Sequence, residues 1–134
     1  MGEESWLELR FRDVDAFGHV YHAEYLTFLD TLRARWFASV GVDDPEQYVV
    51  ARVEIDYLSS LVLADDRVRA TFEVERVGTS SVTLREAVIA GDGREVARTR
   101  VVVVLRDPAT GASRPVRDHE RTALALSKSS GSLD

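Results

Sequence analysis

The amino-acid sequence predicts an α+β domain in which a curved antiparallel sheet of about five to six strands wraps around one long central helix. A strand-like run over residues 7–12 comes first, a helix-like run from about Tyr21 to Val40 follows, and four further strand-like runs occupy residues 49–106. Strands that are neighbours in the sequence and are joined by short turns usually pair with each other. A helix that is apolar or small on nearly every side is buried most simply if that sheet curls around it.

The first strand and the helix differ in their hydrophobic period. Residues 7–12 alternate, with Leu7, Leu9 and Phe11 on one face, as in a half-buried strand. From Tyr21 onward the period is helical, and Gly41 stands where a glycine commonly ends a helix. The apolar stripe of this helix consists of Tyr25, Phe28, Leu29, Leu32, Trp36 and Val40.

The opposite side of the helix carries small residues instead of charged ones. These residues are Thr27, Thr31, Ala34 and Ala38. A helix side that faces solvent usually displays charged side chains. We therefore expect this helix to be enclosed on both sides.

The later strands are predicted from alternation and from the turns between them. The four runs cover residues 49–57, 67–75, 81–90 and 94–106, and Gly91-Asp92-Gly93 is a hairpin signal between the last two. Residues 115–126 predict a short strand and one or two helical turns. Residues 127–134 predict a polar, disordered tail, so the domain is predicted to span residues 1–126.

Length and composition restrict the class of protein. The 134 residues fit one domain, and the lack of cysteine excludes disulfides and thiolate chemistry. A net charge of −6 argues against nucleic-acid binding. The longest purely aliphatic run, residues 101–105, is too short to span a membrane, and the N-terminus lacks the pattern of a signal peptide. We expect a cytoplasmic protein that binds neither nucleic acid nor membranes.

The stretch DVDAFGHVYHAEY, residues 13–25, carries most of the reactive side chains between the first strand and the helix. One interpretation is a metal site, because Asp13, Asp15, His19 and His22 supply oxygen and nitrogen ligands. Their spacing matches no known carboxylate–histidine motif, so we expect no metal. Another interpretation is that Asp15 is only an acid that stabilises the start of the helix.

The stretch also forms part of a longer pattern, D-x-D-x-x-G-H-V-x-H-x-x-Y-x-x-F-x-D, from Asp13 to Asp30. Together with the element order over residues 6–126, this pattern resembles the hotdog fold, specifically the 4-hydroxybenzoyl-CoA thioesterase (acyl-CoA thioester hydrolase) family. The resemblance implies a homodimer or a homotetramer built as a dimer of dimers, with active sites at the subunit interface. One departure is the segment YLSSLVLADD after the second strand, where family members often have a proline and a basic or polar residue. The resemblance implies that this segment helps to shape the acyl and pantetheine channel.

The resemblance implies hydrolysis of an acyl- or aroyl-CoA thioester, or an acyl-carrier-protein thioester, to a free acid and a thiol, without a cofactor. By this resemblance Asp15 is the catalytic carboxylate, as nucleophile or general base, and His22 is a helper histidine that we expect to point inward. The N–H groups that begin the helix, those of Tyr21, His22 and Ala23, are expected to polarise the thioester oxygen. The loop and substrate pocket are assigned to Gly18, His19, Tyr25 and Phe28.

Other functions of the same scaffold stay open at this point. One is a non-catalytic module that binds an acyl thioester or a fatty acid. Another is an enoyl-thioester hydratase or dehydratase, although those enzymes separate acid and histidine by five residues and here Asp15 precedes His19 by four. Coenzyme A phosphates would need basic residues, and the candidates are Arg67, Arg69, Arg85, Arg98 and Arg100. For any one of these arginines an ion pair with a glutamate across strands is the favoured interpretation, so none is assigned to coenzyme A.

Overall fold

The computed structural model describes residues 5–42 and 44–132. Its helices and strands are β1 (Trp6–Glu8), α1 (Glu24–Ser39), β2 (Tyr48–Tyr57), β3 (Arg67–Val77), β4 (Ser81–Ala90), β5 (Glu95–Leu105) and α2 (Asp118–Ser132). Short 3-10 turns lie at Phe11–Asp13, Pro45–Gln47 and Leu63–Asp65. The α+β class predicted from the sequence is confirmed by this single antiparallel sheet and its long helix.

The sheet has five antiparallel strands in the order β1-β3-β4-β5-β2. Strands β3, β4 and β5 form the meander that the turns predict, while β2 pairs with β5 and lies at an edge. Register shifts interrupt three strand pairs, between Val50/Arg52, Val74/Arg76 and Val88/Ile89. Bulges of this kind bend and twist a strand, so they contribute curvature to the sheet.

Helix α1 packs one side against the sheet, mainly on β3 and β4. In its second half the buried positions are Leu32, Arg33 and Phe37, whereas Trp36 is only partly buried. The helix ends in a Schellman motif: Gly41 adopts φ +94°, its N–H donates to Ala38 O, and the Val42 N–H donates to Phe37 O. The glycine is needed there because a side chain at that φ would be strained.

The first strand is shorter than predicted. Strand β1 ends at Glu8, and Phe11 is 85% exposed in a 3-10 turn instead of facing the core. The Asp13 carboxylate causes this turn, since it accepts the Arg10 backbone N–H at 2.8 Å and pairs with the Arg10 guanidinium at 2.8 Å. Asp13 is itself buried; burial is the largest effect and raises its pKa, but the hydrogen bonds and charges of Arg10 and Arg12 together lower it more, so the net shift is downward.

The expectation that α1 is enclosed on both sides is wrong for the single chain. The side chains of Thr27, Thr31 and Ala38 are exposed, and Ala34 is only partly buried. The reason is that the sheet covers one side of the helix and no other described element covers the opposite side.

Helix α2 packs against β3 and places Leu124 in the same core cluster as Phe37. It continues to Ser132 and so enters residues 127–134, for which the sequence predicts a disordered tail. Residues 133 and 134 lie outside the described part of the chain. The domain boundary at residue 126 stays a prediction. None of the described helices is long and apolar enough to cross a membrane.

A charged network crosses the outer face of the sheet and is centred on Glu75 of β3. The Glu75 carboxylate accepts hydrogen bonds from Arg100 at 2.8 Å and from Arg85 at 3.0 Å. Hydrogen bonds from Arg100, and then from Arg85, lower the pKa of Glu75 to about 2. These arginines therefore stabilise the sheet as ion-pair partners, as one interpretation of the sequence expected.

The contribution of Glu75 to the free energy of unfolding should depend on pH. Because its pKa falls from 4.5 in an ordinary carboxyl to about 2 in the folded chain, this contribution is present above the unfolded value and is lost as pH drops between them. We expect Glu75→Gln to lower the free energy of unfolding at pH 7, and the difference from the wild type to shrink as pH falls below 4.5 and to approach zero only below about pH 2. Urea unfolding across this pH range is the measurement. Glu46→Gln, at an exposed position in a turn, is the control; a constant difference at every pH would contradict the assignment.

Candidate active site

A cavity of about 370 Å³ lies where the loop before α1 faces the end of β2. It is lined by Asp15, His19, Val20, His22, Tyr25, Tyr57, Leu58, Ser59 and Ser60. The structure thus brings together four of the residues that the sequence assigned to the site. Phe28 does not line this cavity; it is buried in the core, with its ring centroid 6.4 Å from that of Tyr25, and lines a different cavity.

The loop from Asp13 to Tyr21 is held by backbone hydrogen bonds. Asp15 N–H donates to His19 O at 2.8 Å, Gly18 N–H donates to Asp15 O at 3.1 Å, and Tyr21 N–H donates to Asp13 O at 2.8 Å. Gly18 adopts φ +84°, which explains why a glycine stands at the turn. The loop is a tight, internally bonded turn, so its side chains have defined positions.

The two oxygens of the Asp15 carboxylate have different surroundings. Oδ1 accepts the N–H of Phe17 at 2.9 Å and the N–H of His19 at 3.2 Å. Oδ2 accepts no hydrogen bond from the described residues, and the side chain is half-buried in the cavity wall. One oxygen therefore fixes the carboxylate in the loop, and the other is available to a ligand. Asp15 does not cap α1, which begins nine residues later at Glu24.

Two of the three expected backbone donors are available. The Tyr21 N–H is not, because it donates to Asp13 O within the loop. The N–H groups of His22 and Ala23 have no acceptor among residues 5–42 and 44–132, while those of Glu24, Tyr25 and Leu26 donate to carbonyls of the preceding turn. The assignment of Tyr21 as an oxyanion donor is thus corrected, and the pair His22 and Ala23 remains.

The expectation that His22 points inward is wrong. Its side chain is exposed, because residue 22 precedes the helix and does not lie on its buried face. The imidazole packs against Tyr21, with ring centroids 4.5 Å apart, and meets the edge of Tyr57 at 6.1 Å. His22 lines the cavity from this position.

Two tyrosines connect the helix to the opposite wall of the cavity. The buried Tyr25 hydroxyl accepts the Leu61 N–H at 3.2 Å and lies 3.5 Å from Ser59 O as a donor. The Tyr57 hydroxyl donates to His22 O at 3.0 Å. Burial raises the pKa of both phenols, so both remain protonated donors at neutral pH.

The opposite wall is formed by Tyr57, Leu58, Ser59 and Ser60. None of these residues was named as a site residue from the sequence, although the resemblance implies that their segment helps to shape the substrate channel. The available signal was the YLSSLVLADD segment, which departs from the expected family pattern. A single sequence does not say that this segment faces Asp15, since the two are separated by more than 40 positions.

The site holds no cluster of metal-ligand type. Among the described residues, no three histidine, aspartate or glutamate side chains are grouped so that they could hold a metal ion. Asp13 pairs with Arg10 and does not line the cavity. The remaining candidate arginines have partners as well: Arg98 pairs with Glu95 at 2.6 Å, and Arg67 lies over the Trp6 ring at 4.0 Å.

The fold is an α+β domain in which an aspartate carboxylate and a residue with a free backbone N–H, His22, line one cavity at the end of an edge strand. The sequence matches the Thioesterase superfamily over residues 17–97. The chain belongs to that superfamily, as the resemblance in the sequence implied.

Solved structures of this class cover nearly the whole chain. A thioesterase of Thermus thermophilus complexed with coenzyme A and Zn is 29% identical, with a TM-score of 0.83 over 94% of this chain and 93% of that chain. The PA5185 protein of Pseudomonas aeruginosa PAO1 is 25% identical, with a TM-score of 0.82 over 94% and 91%. The SAV2348 protein of Staphylococcus aureus in complex with CoA is 17% identical, with a TM-score of 0.83 over 93% and 82%, and is similar in fold. These similarities confirm the hotdog fold. A search of curated proteins found no match.

Proposed function

We propose that this protein hydrolyses an acyl- or aroyl-coenzyme A thioester to a free acid and coenzyme A. The observation that carries this proposal is that the Asp15 carboxylate, with one free oxygen, lines the same cavity as His22. The backbone N–H groups of His22 and of the next residue, Ala23, have no acceptor among the described residues. Hydrolysis of a thioester needs a group that attacks or activates water, and donors that stabilise the oxyanion. Membership of the superfamily supports the same reaction class.

Asp15 fits either chemical role that the resemblance implies. As a general base, it takes a proton from a water molecule as that water attacks the carbonyl carbon; as a nucleophile, its free oxygen attacks directly and water then hydrolyses the anhydride. In both cases the N–H groups of His22 and Ala23 stabilise negative charge on the carbonyl oxygen. The carbon–sulfur bond breaks, and the sulfur leaves as a thiolate that takes up a proton.

Coenzyme A is the proposed carrier because the Thermus thermophilus relative is complexed with it. An acyl carrier protein presents the same pantetheine thioester and is the second carrier that the site fits. His22 is proposed as a helper histidine that orients the substrate or the water molecule beside Asp15.

Release of free thiol from a panel of thioesters tests the function. The panel should include short and long aliphatic acyl-CoAs, benzoyl-CoA and hydroxybenzoyl-CoA, each also as an acyl-carrier-protein thioester. We expect turnover with at least one member. Binding of a CoA thioether without turnover of any thioester would instead identify a non-catalytic binding module.

We propose that a second copy of this chain pairs with the edge strand β2. This strand lies at the edge of the sheet and carries exposed apolar side chains at Val49, Val50, Val53 and Tyr57, followed by Leu58. An exposed apolar edge of ten residues is a ready template for strand pairing. Since Tyr57 and Leu58 also line the cavity, such pairing would place the site at the subunit interface.

Val53→Lys should disrupt this pairing, because a lysine on an edge strand opposes strand addition. We expect the wild type to elute with at least twice the mass of the 15.0 kDa chain in chromatography with light scattering, and the variant to elute as a monomer. Thr71→Lys adds the same charge at an exposed position on β3 and serves as the control. A monomeric wild type at micromolar concentration would contradict the interface.

A further inference from the structure

Arg94 lies in the hairpin between β4 and β5 and reaches the wall of the cavity. Its Nε donates to Ser59 Oγ at 3.1 Å, and its Nη2 donates to Ser60 O at 3.1 Å. Two carboxylates hold the guanidinium in place: Asp92 accepts from Nη1 at 2.7 Å, and Asp65 accepts from Nη2 at 3.2 Å. The guanidinium is thus held by two carboxylates and donates its remaining hydrogen bonds to the two serines.

The segment that Arg94 contacts has no regular secondary structure. Its backbone is held by the Leu58 and Ser59 N–H groups, which both donate to Val96 O, and by Tyr25 from the side of the helix. Ser59 and Ser60 line the cavity together with Asp15, whereas Arg94 does not. Arg94 therefore affects the cavity only through the two serines.

We propose that Arg94 is a positioning residue of the active site, which holds the Ser59–Ser60 wall opposite Asp15 and orients the Ser59 hydroxyl for the substrate. Ser59 Oγ accepts from Arg94 Nε, so one of its acceptor positions is occupied and its own proton is left to donate. Within the described part of the chain that proton has no acceptor. In the complex, the Ser59 hydroxyl donates this proton in a hydrogen bond to an acceptor atom of the bound thioester. This inference rests on the proposed function and adds a polar contact on the wall facing the carboxylate.

Arginine suits this task better than lysine. The four bonds run to three different side chains and one carbonyl, and they need the planar, forked arrangement of N–H donors that only a guanidinium has. A lysine at the same position keeps the charge and one or two contacts but not the whole set. Arg94→Lys therefore tests geometry at nearly constant charge.

The experiment compares four proteins: wild type, Arg94→Lys, Ser59→Ala and the double variant. Each is assayed on the best CoA thioester and on the N-acetylcysteamine thioester of the same acyl group, which lacks the nucleotide. We expect Arg94→Lys to lower kcat/KM roughly tenfold to hundredfold on both substrates, since small displacements in a site cost that much. We expect kcat/KM of the double variant to be no lower than that of the less active single variant, because both changes remove the same interaction between Arg94 and Ser59. Arg121→Lys changes an exposed arginine of α2 that donates to Gly78 O at 3.0 Å, so it is the matched control and should retain full activity.

Each other outcome overturns the inference in a distinguishable way. A loss confined to the CoA thioester would mean that Arg94 contacts the nucleotide directly. Additive losses in the double variant, or a fall in the melting temperature with unchanged KM, would mean a purely structural role. If the wild type is active and Arg94→Lys retains that activity fully, the positioning role of Arg94 is overturned and the proposed function stands. An inactive wild type would overturn the proposed function together with this inference.

Discussion

Asp15→Asn should lower kcat for thioester hydrolysis by about 10²–10⁴-fold, the usual contribution of a positioned acid or base. The variant should fold normally, because the asparagine carbonyl can still accept the N–H groups that now donate to Asp15 Oδ1, from Phe17 and His19. Only the negative charge and the free oxygen are lost. Thiol release at saturating substrate is the measurement, with urea unfolding alongside.

Asp15→Ala provides the comparison that separates chemistry from loop structure. It removes the same free oxygen and also the acceptor of the two N–H groups, so it should lose a similar factor in kcat and about 1 kcal/mol more of stability. Glu24→Gln, a nearby carboxylate in the first turn of α1 that does not line the cavity, is the control for charge. Full activity of Asp15→Asn on a substrate that the wild type hydrolyses would exclude Asp15 from the mechanism.

Arg33→Met should destabilise the fold by about 3–5 kcal/mol, the range for breaking a buried ion pair. Arg33 is 2% exposed on α1 and binds Glu86 of β4 through Nε at 2.6 Å and Nη2 at 2.9 Å. Thr99 of β5 donates to the same carboxylate at 2.8 Å. Burial is the largest effect on Arg33 and lowers its pKa, but hydrogen bonds and charge interactions with Glu86 and Asp30 together raise the pKa more, so the guanidinium stays charged. Removing Arg33 leaves a charged or freshly protonated carboxyl group in the core.

The double variant Arg33→Met/Glu86→Leu distinguishes an unpaired charge from a packing defect. Apolar replacements of a whole buried pair are often neutral or stabilising, so most of the loss should be recovered. Arg98→Met removes a half-exposed ion pair with Glu95 and should cost about 0–1 kcal/mol. Urea unfolding at one protein concentration is the measurement; equal losses in the single and double variants would contradict this account.

The sequence was informative wherever a signal was local. Strand β4 occupies residues 81–90 as predicted, because alternation and the flanking glycine turns define both of its ends. The cluster of Asp15, His19, His22 and Tyr25 was found because these residues lie within eleven positions of one another. The hotdog arrangement followed from element order together with the family pattern.

The parts that were missed depend on contacts between distant segments. The start of α1 was placed three residues early, because the bond from Tyr21 N–H to Asp13 O keeps the preceding turn out of the helix. Arg33 and Glu86 carry charges that suggest a surface position, and only their pairing explains their burial. The wall at Ser59 and Ser60 likewise depends on which loop the sheet brings opposite Asp15.

The hydrogen bond from the Tyr57 hydroxyl to His22 O joins the last residue of the edge strand to the turn that carries the free N–H groups. A second subunit seated on β2 would restrain this tyrosine, and through it the donors that face the thioester oxygen. Assembly and turnover would then be thermodynamically linked, so the rate per chain would depend on the enzyme's own concentration and would decline on dilution below the dissociation constant of the dimer.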